Sequence, residues 1–178
     1  MKAGSVRLST VRTEDGAELV AANLASLRYH EPWVYPCREP AAFQGYLKSC
    51  DGQRKIGFIL RESASGRIAG VANLSEITRG ALQSAYLGYY GMAGFAGCGL
   101  MREGLGLVLD RAFGPLGLHR VEANVQPGNT RSLALVRRLG FRREGFSPRY
   151  LKIGGEWRDH ERWAMLAEEW ASGESVIR

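Results

Sequence analysis

The chain has 178 residues, 45% hydrophobic and 24% charged, which fits one folded domain with a substantial core and excludes a disordered chain. No apolar run approaches the roughly eighteen residues of a membrane span, and no basic-then-apolar leader opens the chain, so the cytoplasm is the expected compartment. Three cysteines (Cys37, Cys50 and Cys98) without CxxC spacing argue against a disulfide framework and a zinc site, while a net charge of +6 suits an anionic partner, a polyphosphate cofactor or nearby nucleic acid.

Val6 to Arg12 alternates as a first strand, with Val6 and Leu8 on one face. Thr13 then caps a helix over Glu14 to Leu27, acidic in its first turn. Arg28 to Glu39 sets Tyr29, Trp33 and Tyr35 around Pro32 and Pro36, which excludes a regular helix; such a segment is either a binding wall or packing over the core. Pro40 opens a second helix, to about Cys50. Lys55 to Arg61 and Arg67 to Ile77 read as apolar strands joined by a turn at Ser63 to Gly66.

Leu82 to Met92 is a further strand, and it empties through Gly94, Gly97 and Gly99 into a helix over Leu100 to Phe113. The first N–H groups of a helix lack intrahelical partners, the dipole there favours negative charge, and glycine lets a ligand approach the backbone. A phosphate site and a ligand-free tight connection both satisfy these residues. Met101, Leu105, Val108, Leu109 and Ala112 give the helix one buried stripe, and close packing against the sheet is the only reason the sequence offers for Gly104 and Gly106 within it.

Gly114-Pro115-Leu116-Gly117 stops that helix. His119 to Val125 follows as a short strand, and Asn129 caps a helix over Thr130 to Leu139 that Gly140 ends. Phe141 to Ile153 and Glu156 to Leu166 form a hairpin about Gly154-Gly155. Without repeats or an internal linker, residues 1–170 make one mixed α/β domain and 171–178 a frayed tail. The basic residues are scattered, and no nucleic-acid-binding signature accompanies them.

Three pieces taken in order carry a family likeness: Gly70-Val71-Ala72-Asn73-Leu74-Ser75 with Tyr86-Leu87-Gly88-Tyr89; Gly97-Cys98-Gly99-Leu100-Met101; and Arg120 through Asn129 to Ser132, closing with Arg138-Leu139-Gly140-Phe141. Together they resemble the GNAT family of acetyl-CoA-dependent N-acetyltransferases. The run from Tyr150 through Trp157-Arg158-Asp159-His160 is similar to the RimJ-type branch, which acetylates the N-terminal alanine of ribosomal proteins. The resemblance implies a mixed, mostly antiparallel sheet of about seven strands, the fourth and fifth splayed, with about four flanking helices. It also implies that acetyl-CoA lays its pantetheine arm in that gap and its pyrophosphate on Gly97, Cys98, Gly99, Leu100 and Met101. Relatives commonly carry a glutamine or arginine where Ala96 stands and a lysine where Cys98 stands, so weaker cofactor binding is expected.

The implied reaction is direct attack of an amine on the thioester. An α-amino group, with a pKa of about 7.7 to 8.0, needs only a weak base; Glu76 and Glu122 are the candidate carboxylates. Backbone N–H groups of Tyr90, Gly91 and Met92 are expected to receive the carbonyl oxygen, and Ser132 to return a proton to the thiolate, with Asn129 touching the pantetheine arm. Trp33, Tyr35 and Tyr150 are expected to shape the acceptor groove. His160 beside Asp159 faces the opposite side of a strand, so a structural role in the hairpin is expected of it; no metal ligand set is present. The acceptor expected is a ribosomal protein N-terminus, with the ribosome as an associated partner and the protein a monomer or homodimer. The alternatives are a small amine (a polyamine, amino sugar or antibiotic), or a basic ribosome- or RNA-associated module without turnover.

Overall fold

In the computed structural model, which describes residues 5–171, the elements in chain order are β1 (Val6–Thr10), α1 (Gly16–Ala25), α2 (Leu27–His30), α3 (Pro40–Ser49), β2 (Ile56–Glu62), β3 (Ile68–Thr78), β4 (Ser84–Gly91), α4 (Leu100–Phe113), β5 (Arg120–Val125), α5 (Thr130–Arg138), β6 (Arg142–Ile153), β7 (Glu156–Leu166) and α6 (Ala167–Ala171). The strands form one sheet in the order β1-β2-β3-β4-β5-β7-β6. Every neighbouring pair is antiparallel except β4 and β5. The expected seven-strand mixed sheet is therefore the one observed. Four helices are of ordinary length; the short α2 and α6 were not anticipated, and the described part of the expected tail, Ala171, closes α6. No described helix is long and apolar enough to cross a membrane.

Two hydrophobic clusters fix which layer covers which face. Leu100, Leu105, Val108 and Leu109 of α4 and Leu133 and Val136 of α5 pack on Leu60, Leu74, Leu87, Val121 and Ala123. On the other face, Leu19 of α1 and Phe43 of α3 pack on Ile59, Val71 and Ile68. β3 is buried on both faces over Ile68–Ala72, as a central strand must be, whereas β5 alternates buried and half-buried residues. The second face is thus covered over β2 and β3, and no β5 residue belongs to this second cluster.

The expected Thr13 cap is replaced by a 3₁₀ turn at Thr13–Asp15. The Asp15 carboxylate accepts from the Arg12 N–H at 2.8 Å and pairs with Arg61 at 2.7 Å, so it closes the turn itself.

The two glycines inside α4 part company. A Cβ on Gly104 would lie 2.8 and 2.9 Å from the two methyls of Leu60, a fully buried side chain with nowhere to move. On Gly106 the nearest atom would be the Trp170 ring at 3.7 Å, an ordinary contact. Gly104→Ala should therefore destabilise by about 1–3 kcal/mol through overpacking, while Gly106→Ala should stabilise by about 0.4–1 kcal/mol. Urea unfolding midpoints of the two variants, moving in opposite directions, check this.

Candidate functional site

β4 and β5 pair over only three positions, Ser84↔Arg120, Ala85↔Val121 and Tyr86↔Glu122, although both strands continue beyond them. Past Tyr86 each strand is held by its outer neighbour: β4 pairs with β3 as far as Gly70↔Gly91, and β5 with β7 as far as Val125↔Glu161. A gap opens between them. Hydrogen-bonding direction alternates along a strand. The Gln83 carbonyl accepts from His119 and Arg120 on the β5 side, and the Met92 N–H donates to Ala69 on the β3 side. By that register the main-chain groups of Leu87, Tyr89 and Gly91 face the gap, and those of Tyr90 face Val71.

Of the three amides expected to face a carbonyl oxygen, Gly91 alone is so placed. Tyr90 is turned to β3 and Met92 is bonded to Ala69 at 2.9 Å. The Tyr90 phenol points to the other face, packed edge-on to His30 with ring centres 5.1 Å apart, and burial pushes its pKa up. His30 Nε2 donates to the Gly91 carbonyl at 2.8 Å, and Ser26 Oγ accepts from the Ala93 N–H at 3.0 Å. Burial lowers the His30 pKa, keeping the imidazole neutral. The α1–α2 junction therefore clamps the end of β4.

Beyond it, Gly97 and Gly99 both take the left-handed backbone, at φ 78° and 79°. Only glycine adopts this freely, and the two turns bring the loop onto the start of α4. The N–H groups of Gly97, Gly99, Leu100 and Met101 have no hydrogen-bond partner among the described residues, while that of Cys98 donates to Phe95 at 3.3 Å. The side chains of Ala96 and Cys98 are exposed. From Gly99 a cavity of about 680 Å³ follows α4 to Asp110 and Trp170. Of its carboxylates, Glu103 and Asp110 accept from the Val6 N–H and the Trp170 indole and Glu169 pairs with Arg142, whereas Arg102 and Arg138 have no carboxylate partner among the described residues.

Across the gap, Asn129 Oδ1 accepts from the Ser132 N–H at 3.2 Å, capping α5. Ser132 Oγ lies 2.6 Å from the Tyr89 hydroxyl. Tyr89 was not singled out from sequence, because its partner lies 43 residues away and no local pattern links them. Burial pushes the Tyr89 pKa up to about 12, the bond to Ser132 opposing, so the pair holds its protons at neutral pH.

The opposite face of the gap carries Tyr86, Glu122, Arg162 and Tyr150. Tyr86 and Tyr150 bring their hydroxyls to 3.4 Å. Hydrogen bonding to Tyr150, then burial, pushes Tyr86 up to about 12, with Glu122 and Arg162 close enough to add to its field. Glu122 pairs with Arg120 Nε at 2.8 Å, and Arg120 in turn grips Glu144. Glu76 is not brought to the gap: it sits in a β3 bulge, largely exposed, paired with Arg54 at 3.0 Å. Trp33 packs on Gly128 and its carbonyl accepts from Gln126 Nε2 at 3.2 Å, while Tyr35 packs on Gly154. Residues 31–39 thus run as a strap from the β5–α5 turn to the tip of the last hairpin.

Free amides at a helix start, leading into a gap lined by main-chain donors and a protonated hydroxyl pair, fit a nucleotide-linked thioester. Among the described residues no group of three or more His, Cys, Asp or Glu side chains could hold a metal. Residues 5–142 match the family described as acetyltransferase (GNAT) domain. The ribosomal protein uS5-alanine N-acetyltransferase of Escherichia coli is 34% identical, over 94% of this chain and 94% of its own. The structure of Mycobacterium smegmatis RimJ in complex with CoA-disulfide matches with a TM-score of 0.84 at 33% identity, over 92% of this chain and 83% of that one. A mutant of the Vibrio cholerae spermidine N-acetyltransferase shares the fold, with a TM-score of 0.79 at 20% identity over 96% and 98%.

Because the loop's open groups are amides, polar side chains at its two exposed positions should add to binding without being required for it. An Ala96→Gln, Cys98→Lys variant should bind coenzyme A about tenfold more tightly, or about 1.4 kcal/mol, by calorimetry; an unchanged Kd refutes the idea.

Proposed function

The chain belongs to the GNAT acetyltransferase family, and on that premise we propose that it transfers the acetyl group of acetyl-CoA to the N-terminal alanine of a ribosomal protein. The observation that carries the acceptor is the open face beside the gap. The carboxylates at its β5–β6 end are already matched: Glu122 and Glu144 share Arg120, and Arg162 adds a further cation. A small polycation would call for unpaired carboxylates there, whereas a chain end carrying one amine does not.

When bound, acetyl-CoA supplies the acetyl group as an activated thioester. The amides of Gly97, Gly99, Leu100 and Met101 would hold its pyrophosphate, and Arg102 and Arg138, which line the adjoining cavity, would meet its nucleotide end. Main-chain groups of Leu87, Tyr89 and Gly91 would line the pantetheine arm, with Asn129 at the far wall. His30 engages the Gly91 carbonyl, which leaves the Gly91 N–H as the open donor for an oxygen. Tyr89 and Ser132 together present a hydroxyl proton to a leaving sulfur. Glu122, in the last β4–β5 pair at the apex of the gap, is the carboxylate we propose to assist the amine. An α-amine is appreciably neutral near its pKa of about 7.7 to 8.0, so a strong base is unnecessary.

A thiol-release assay should show acetylation of alanine-starting ribosomal peptides; activity confined to spermidine and other small amines would overturn this acceptor. Ser132→Ala and Tyr89→Phe should each lower kcat about 10²-fold with little change in the KM for acetyl-CoA, and an unchanged kcat removes the hydroxyl pair from the chemistry. The rate should rise with pH through the α-amine pKa, and Tyr89, pushed up to about 12, adds no alkaline fall in the usual assay range.

A further inference from the structure

The last hairpin carries a distortion that the catalytic reading leaves unused. Ser147 pairs with His160 and Leu151 with Arg158, so Pro148, Arg149 and Tyr150 stand opposite Asp159 alone. Arg149 takes φ 46°, in the left-handed region that residues other than glycine seldom occupy. Its N–H donates to Asp159 Oδ1 at 2.7 Å, which replaces the lost ladder partner and holds the bulge. Behind Tyr150 stands His160, 2% exposed, its ring edge-on at 6.2 Å; its Nδ1–H donates to the Arg158 carbonyl at 2.9 Å, and burial keeps it neutral.

The consequence lies two strands away. β5 and β7 separate β4 from β6, so the Tyr86–Tyr150 contact bridges three strand spacings, roughly 14 Å, above Glu122 at the apex of the gap. The phenols form a bar across a face on which the β5 side chains Arg120, Glu122 and Asn124 are only half-buried. With the strap carrying Trp33 and Tyr35 on the far side, they leave a slot rather than an open plane.

We propose that the Tyr86–Tyr150 bar limits the size of the first residue on the acceptor, and that Asp159 and His160 are positioning residues that aim Tyr150 into it. This rests on the peptide reading above. Asp159 acts through the Arg149 amide, and His160 through the back of the Tyr150 ring; neither reaches the gap itself.

The test compares two peptides alike except for alanine or leucine at the first position, using the ratio of their kcat/KM values. Tyr150→Ala should lower the alanine preference about tenfold, the scale on which a pocket discriminates small apolar groups. Asp159→Ala should move the ratio the same way, and Asp159→Asn, which keeps an oxygen for the Arg149 N–H, should restore most of it. The Tyr150→Ala, Asp159→Ala double variant should be no less selective than Tyr150→Ala alone, as expected for residues acting on one device. The Kd for coenzyme A by calorimetry should stay unchanged throughout, showing that the cofactor half is intact. An unchanged ratio in Tyr150→Ala, or equal losses on both peptides in Asp159→Ala, overturns the proposal while the peptide reading stands. A wild-type protein that acetylates small amines and neither peptide overturns both.

Discussion

The broken ladder between β4 and β5 is the constraint on which the rest depends. Buried main-chain N–H and C=O groups need partners, and here two strands stop supplying them to one another after three pairs. The separation is enforced from outside: β4 is tied to Ala69, Ser26 and His30, and β5 is paired along its length with β7. Neither strand can close on the other without breaking bonds it already has. The unpaired edge is therefore a standing capacity to bind an extended, amide-bearing molecule in place of a strand.

The open end of the gap is closed by elements distant in sequence. The strap carries Trp33 to Gly128 and Tyr35 to Gly154, and Arg131 lies 5.3 Å from the centre of the Tyr29 ring. At the other end, Arg120 joins Glu122 to Glu144, and Arg142 joins Glu144 to Glu169. Glu144 first, with Glu122 helping, raises the Arg120 pKa, and the same Arg120 contact holds the Glu144 carboxyl below its usual range. These pairs are only partly buried, so their Coulomb energy is screened and modest. Their effect is to fix β5, β6 and α6 relative to one another where the gap begins.

What was legible in the residues was local. The glycine-rich turn into Leu100, the Asn129 cap and the Gly154-Gly155 hairpin each depend on neighbours within a few positions, and each stands where the pattern put it. The α2 helix escaped because Pro32 and the aromatic residues mask a single turn whose purpose is tertiary, to place His30 on Gly91. Glu76 and Glu122 looked alike as strand carboxylates; only the register separates the one at the apex from the one in a bulge beside Arg54. Tyr89 was hidden for the same reason, since a hydroxyl pair between a strand and a later helix has no periodicity. The loss of side chains at Ala96 and Cys98 was visible, but which amides remained open was not, because Cys98 turns its own inward to Phe95.

The loop before α4 and the face carrying Tyr86 and Tyr150 are built from different materials. In the loop before α4 the open donors are main-chain groups, and the exposed Ala96 and Cys98 side chains add little polarity to it. On the opposite face the walls are side chains: Tyr86 on a regular strand, Tyr150 held by a bulge, and Trp33 and Tyr35 held by a strap. On the proposed reading, a fold arranged in this way would hold the acyl donor by backbone geometry and leave the choice of amine to a handful of aromatic residues on irregular chain. The irregular segments are therefore the place to look for differences in acceptor among proteins of this architecture.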